Sequence, residues 1–309
     1  MSVQDILGPL TKSAFVEQYY QKLPYSTAQR CEFLASLGSW RALAKILPKP
    51  GVDLLVVRQG SQWEGQPPAT AEDARALFDQ GCTIVVRHAE RQDEELAKLA
   101  AGFAQDFGAP VDLHLYFTPG GHFGFNWHFD AEDVFILQTE GSKDYLLRKN
   151  TVHPWPLAET IPPDMGYQHE IMPLIRCTLR RGDWLYIPGG YWHRAESQED
   201  SISIAVGILS ATAVDLYDFL RPRILPSLQW RQRLPVCGDA NSLAAPELTA
   251  QYVELCQVLA ADLARMMTDP ALVRDYLASR GRASDAQLPD KPAEAAAKQT
   301  TAERCAPNA

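Results

Sequence analysis

The chain has 309 residues, 46% hydrophobic and 22% charged, with a formal net charge of −9. That length can bury a substantial core, as one large domain or a domain with an appendage. The acidic balance argues against a nucleic-acid groove, which needs a basic excess.

The N-terminus, MSVQDILGPLTKS, has no basic region followed by an apolar run, and no stretch is apolar for long enough to span a bilayer. A cytoplasmic protein without membrane contact is therefore expected. Helices are predicted over residues 5–47. Phe15, Tyr19, Tyr20 and Leu23 fall at helical spacing before Pro24. Ser26 or Thr27 caps a second predicted helix through Phe33, Leu34 and Leu37, ending near Gly38. Pro48, Pro50 and Gly51 then break the pattern. A short buried strand is read at 52–57, followed by a helix over 71–79 with Thr70 as its cap, Asp73 three residues on and Gly81 beyond its end. Another strand occupies 82–86. Leu96, Leu99, Ala100, Phe103 and Phe107 space an amphipathic helix that stops at Gly108 and Pro110.

From Val111 the period changes to two and holds for about a hundred residues. Val111, Leu113, Leu115 and Phe117 form an apolar face, while Asp112, His114 and Tyr116 face a pocket. Strands at 134–137 and 145–147 flank a turn at Glu140, Gly141 and Ser142. A Pro-rich loop covers 150–173, and strands at 177–179, 184–187 and 202–208 complete the series. Many short strands with Gly/Pro turns predict a mostly β core with flanking helices, of the double-sheet jelly-roll kind.

After Thr212 the helical period returns, and Leu248, Tyr252, Leu255, Leu259, Leu263 and Met266 form an apolar stripe behind Pro246. Such a stripe packs on the barrel or on a second copy, so a homodimer is expected. The organisation read is a catalytic domain with N-terminal helices at 1–210, a helical dimerisation region at 211–282 and a disordered polar tail at 283–309. Cys31, Cys82, Cys177, Cys237, Cys256 and Cys305 are scattered, without a C-x-x-C, and read as reduced thiols.

Two stretches carry the chemistry: GGHFGFNWHFDAEDVFILQTEGSK at 120–143 and RGDWLYIPGGYWH at 181–193. On a strand, His128 and Asp130 leave the same face. His193, from a strand across the barrel, completes two imidazoles and one carboxylate, the facial triad of non-haem Fe(II) oxygenases. Trp127, Tyr191 and Trp192 flank these ligands and read as packing around them. His122 lies on the preceding loop, facing substrate or solvent. His88, His153 and His169 read as surface groups, and Arg148, Arg180, Arg181 and Arg194 as solvated.

The stretch TPGGHFGFNWHFDAEDVFILQTEGSK, taken with RRGDWLYIPGGYWH and the N-terminal FVEQYYQKLPY, resembles the JmjC-type cupins. Within them it is similar to the ribosomal-oxygenase subfamily of Fe(II)/2-oxoglutarate-dependent hydroxylases, over residues 1–210. The resemblance implies a double-stranded β-helix with His128, Asp130 and His193 as iron ligands. It implies Lys143 as the cation for the distal carboxylate of 2-oxoglutarate and Tyr116 as an assisting residue. His114 departs from the pattern, since relatives commonly carry an amide there; a hydrogen bond from it to the co-substrate is the expectation. The implied activity is a dioxygenase that hydroxylates a protein side chain, a ribosomal protein being the subfamily's kind of target. Relatives continue from a helical dimerisation region into a winged-helix domain, and this sequence is too short for both. The same chemistry on a small molecule or peptide natural product therefore stays open, as does a non-catalytic metal-binding cupin acting as sensor or scaffold.

Overall fold

The structure is a computed structural model and describes residues 1–162, 164–236 and 246–283. Its first strands are β1 (Tyr25–Thr27), β2 (Asp53–Arg58), β3 (Ser61–Gln62) and β4 (Thr83–Arg87). The central ones are β5 (Val111–Thr118), β6 (Asp133–Glu140), β7 (Ser142–Arg148) and β8 (Ile175–Arg180). Then come β9 (Trp184–Ile187), β10 (Trp192–Ser197) and β11 (Ser201–Ile208). Helices α1 (Gln4–Leu7), α2 (Lys12–Gln18), α3 (Trp40–Ile46), α4 (Ala71–Asp79) and α5 (Glu94–Phe107) belong to the same unit. The strands make an eight-stranded sheet, in the order β1-β9-β6-β11-β5-β4-β2-β3, and a three-stranded sheet, β10-β7-β8, with antiparallel pairing throughout. This is the double-sheet β architecture with flanking helices that the alternation predicts.

The period of two sorts the core. Leu113, Leu115, Phe117, Phe135, Leu137, Ile204 and Val206 leave the large sheet outward, into one cluster with Phe15, Leu43, Phe78 and Phe103 of the N-terminal segments. Their neighbours Val134, Ile136 and Ala205 point inward and pack with Tyr145 and Leu147 of the small sheet. β11, paired with β5 on one side and β6 on the other, is buried along its whole length because helices cover one face and the small sheet the other. Each large apolar side chain so enclosed contributes roughly 1.5–3 kcal/mol. β7 instead alternates buried and half-buried residues, with Lys143, Tyr145 and Leu147 inward.

The tight turn before β7 fixes that parity. Gly141 has φ +65°, and a Cβ there would collide with the Asp200 carbonyl oxygen, so both conformation and space demand glycine. Helix α4 has the predicted boundaries and a full capping box, in which Asp73 N–H donates to Thr70 Oγ1 and Thr70 N–H to the Asp73 carboxylate. Helix α5 begins at Glu94 under the Asp93 cap and ends at Gly108, φ +58°.

One N-terminal prediction is corrected. In place of a helix through 27–37, Tyr25–Thr27 is an edge strand on β9, and only a single 3₁₀ turn forms at Glu32–Leu34. The backbone hydrogen bonds of a sheet edge and the packing of Tyr25 against Phe15, Tyr19 and Trp184 override a marginal local helical spacing.

By its contacts the chain divides into a unit at Met1–Ser210 and a second at Ala211–Ala283. The second holds α6 (Ala213–Ile224), α7 (Pro246–Met267) and α8 (Pro270–Ala283). Leu248, Tyr252, Leu255, Leu259, Leu263 and Met266 are the half-buried stripe of α7. Trp230 Nε1 donates to the buried Asp262 carboxylate at 2.8 Å. The tail beyond Ala283, with Cys305, and Cys237 lie outside the described residues. Among the described residues no helix is long and apolar enough to cross a membrane.

Candidate metal and dicarboxylate pocket

Five of the six residues singled out from the sequence converge on one pocket between the two sheets. Its wall includes His128, Asp130, His193, Lys143 and Tyr116. His128 and Asp130 are not on a strand, as the H-x-D pattern predicts. His128 forms an isolated bridge with His193, each accepting the other's N–H, at 3.2 and 2.8 Å. That pairing replaces strand geometry as the device that sets the two imidazoles side by side, with ring centres 4.1 Å apart. The Asp130 carbonyl is tied down by Gly190 N–H at 2.7 Å, and its carboxylate reaches within 3.5 Å of His193 Nε2.

The ring nitrogens are already assigned by their surroundings. His128 Nδ1 donates to the Asn126 carbonyl at 2.7 Å, and His193 Nδ1 to the Tyr191 carbonyl at 3.0 Å. A carbonyl only accepts, so the proton sits on Nδ1 and each Nε2 keeps a lone pair. Burial, with the neighbouring His128 imidazole, pushes the His193 pKa down, so the neutral, ligating form holds at neutral pH. One donor atom from each of His128, Asp130 and His193 lies within 4.8 Å of the others. Two imidazole nitrogens and one carboxylate, oriented by second contacts, suit a divalent iron-type ion.

Lys143 is 5% exposed, and its ammonium donates to Thr118 Oγ1 at 3.1 Å. Among the described residues it makes no ion pair, and Tyr116 lies beneath it with the ring centre 5.7 Å away. Burial pulls its pKa from 10.5 to about 8. A charged amine enclosed without an acid needs an anion, which a carboxylate-bearing ligand supplies. Burial raises the Tyr116 and Tyr145 hydroxyls above the usual phenol range, so both remain proton donors.

Several pocket residues lie outside the six candidates of the sequence. Thr118 follows Tyr116 by two and Tyr145 follows Lys143 by two, so the strand period itself flagged both. Phe125 and Glu132, on the loops around the H-x-D, carry no such signal. Glu170, inside the Pro-rich loop, was missed as well. Its carboxylate accepts from Thr151 N–H and Oγ1, from Ile171 and Met172 N–H, and from Trp192 Nε1. It thereby fixes the residue next to His193. Trp192 is fully buried against Phe129 and Tyr167, in keeping with a packing role. His114 does not line the pocket; it lies against His88 and Asp112. Burial, then the His88 imidazole, lowers its pKa to about 3. His88, read as a surface group, is in fact largely enclosed. The cause is a turn at φ +50° that follows β4 and leaves the side chain beside β5.

Residues 86–216 match the JmjC domain. The chain is similar to the bifunctional lysine-specific demethylase and histidyl-hydroxylase NO66 of Drosophila sechellia, 27% identical over 81% of this chain and 42% of that protein. It is similar also to ribosomal oxygenase 1 of Gallus gallus, 25% identical over 82% of this chain and 46% of that one. The chain thus spans less than half the length of these two relatives. Among solved structures it is similar to the Escherichia coli ribosomal oxygenase YcfD in complex with cobalt and 2-oxoglutarate. That likeness has a TM-score of 0.58 and 20% identity over 93% of this chain and 74% of that one, and it bears out the fold.

Proposed function

Taking as premise that the chain carries a JmjC domain, as its sequence resemblance implies, we propose that it is an Fe(II)- and 2-oxoglutarate-dependent oxygenase hydroxylating a protein side chain. The observation that carries this reading is a buried ammonium without an acid partner in the same pocket as a His–His–carboxylate cluster. His128, Asp130 and His193 would hold the iron on one side. Iron held this way supplies the oxidising chemistry that couples decarboxylation of a 2-oxo acid to C–H hydroxylation.

The chain's own residues do the rest. Lys143, steadied by Thr118, takes the distal carboxylate, and the Tyr116 hydroxyl donates alongside it. Tyr145, hydrogen-bonded to Ser203, closes the same wall. The apolar lining from Val134, Ile136 and Ala205 excludes water, which strengthens the ammonium–carboxylate attraction. A protein side chain as substrate is supported by the relatives described as a histidyl-hydroxylase and a ribosomal oxygenase, and the acidic chain suits a basic partner. The proposal includes a cytoplasmic location and a homodimer through 211–282. Exposed Val253, Val258, Met267, Val273 and Leu277 support the dimer, and a monomeric mass by light scattering would refute it.

The test of the chemistry is iron-dependent decarboxylation of 2-oxoglutarate by the purified chain. Turnover is expected, and loss of it in His128→Ala. Equal turnover in that variant, or none at full iron loading, refutes the assignment.

A further inference from the structure

A second donor cluster lies outside the pocket lining. We propose that His88, Asp112 and His114 form a separate site for a divalent transition metal of the zinc class, carried by β4 and β5. Asp112 and His114 are two apart on β5, so they share the face opposite Leu113 and Leu115, which are sunk in the outer core. His88 directly follows β4, the neighbouring strand, in which Val86 pairs with Leu115. The pairing of β4 with β5 therefore brings a third donor to the same place.

One donor atom from each of the three residues lies within 4.8 Å of the others. His88 Nδ1 and His114 Nε2 stand 4.0 and 3.9 Å from the same oxygen, Asp112 Oδ2, and the imidazole rings meet nearly edge-on at 5.6 Å. A tetrahedral ion with bonds of 2.0–2.1 Å spans donors roughly 3.4 Å apart, so the two imidazole–carboxylate edges close by about half an ångström. Small side-chain rotations supply that. Glu90 lies 3.8 Å from His88 Nδ1 and is already anchored by Leu113 N–H.

Two further features separate this cluster from ordinary packed polar residues. His114 Nε2 is enclosed and has no hydrogen-bond partner, a condition that is costly when nothing occupies the position. Asp112 is only 5% exposed, an uncommon position for a carboxylate. Room for it comes from Gly207, where a Cβ would stand 2.5 Å from Asp112 Oδ1 and from Glu132 Oε2. Two imidazoles with a carboxylate and no thiolate suit Zn²⁺, Co²⁺ or Ni²⁺ and are poorly matched to Mg²⁺ or Ca²⁺, which take oxygen ligands.

The experiment is cobalt(II) titration of the full chain, followed by the visible spectrum and by metal analysis after gel filtration. Two equivalents are expected for the wild type, one for His128→Ala/His193→Ala and one for His88→Ala/His114→Ala. Circular dichroism checks each fold. Should the His88/His114 variant not fold, Asp112→Asn keeps the side-chain size and is expected to lose the second equivalent. A wild-type stoichiometry of one that is lost in His128→Ala/His193→Ala overturns the proposal. So does an unchanged stoichiometry in the folded His88/His114 variant or in Asp112→Asn.

Discussion

Replacing Lys143 by methionine separates binding from stability. At pH 7 the enclosed ammonium is charged although burial has lowered its pKa from 10.5 to about 8. At 1.36 kcal/mol per pH unit, holding that charge costs the ligand-free fold roughly 3 kcal/mol. Lys143→Met removes the cost, keeps much of the volume and forfeits the Thr118 hydrogen bond, worth about 1 kcal/mol. The net expectation is a gain of about 2 kcal/mol, or roughly 4–8 °C in Tm for a unit of this size.

The pH dependence has a definite sign. Between about 8 and 10.5 the unfolded lysine holds a proton that the folded one has lost, so wild-type stability climbs as pH rises through that window. The methionine variant lacks that climb. With metal present throughout, added 2-oxoglutarate reverses the order: the wild type gains about 2.7 kcal/mol at a hundredfold excess over Kd, and the variant gains nothing from the dicarboxylate. Scanning fluorimetry at pH 7 and 10, with and without the dicarboxylate, reads all four cases. A variant no more stable than the wild type that still shifts with 2-oxoglutarate would refute the reasoning.

Three further substitutions test the frame around the pocket. Gly141→Ala places a Cβ on the Asp200 carbonyl at a positive φ, so a loss of about 3 kcal/mol or more in denaturant unfolding is expected, with weaker dicarboxylate binding as Lys143 moves. Tyr145→Phe removes the hydroxyl that meets Ser203 and leaves a buried partner unsatisfied; it should lower stability by about 1–3 kcal/mol by urea melt. Glu170→Gln replaces a charged acceptor by a weaker one, with side-chain N–H facing some of the donors on Thr151, Ile171, Met172 and Trp192. About 2–3 kcal/mol is expected to go, with faster hydrogen exchange in the 150–173 loop and at Trp192.

Which side chains share a face is legible in the amino-acid order. Alternation along β5 and β7 is enough to send Tyr116 and Lys143 inward and Leu115 to the opposite core, because a strand has no other period. Thr70 with Asp73, and Gly108 after Phe107, mark helix ends by chemistry confined to one turn. Features that depend on distant backbone arise only in the folded chain. Residues 25–27 became a sheet edge because β9 offered its hydrogen bonds, and His128 faces His193 through one bridge, with no strand carrying the H-x-D. His88 reached Asp112 and His114 only because β4 pairs with β5. Periodicity fixes parity within a strand; which strands meet is set by burial summed over segments far apart in the chain, and no local pattern encodes that sum.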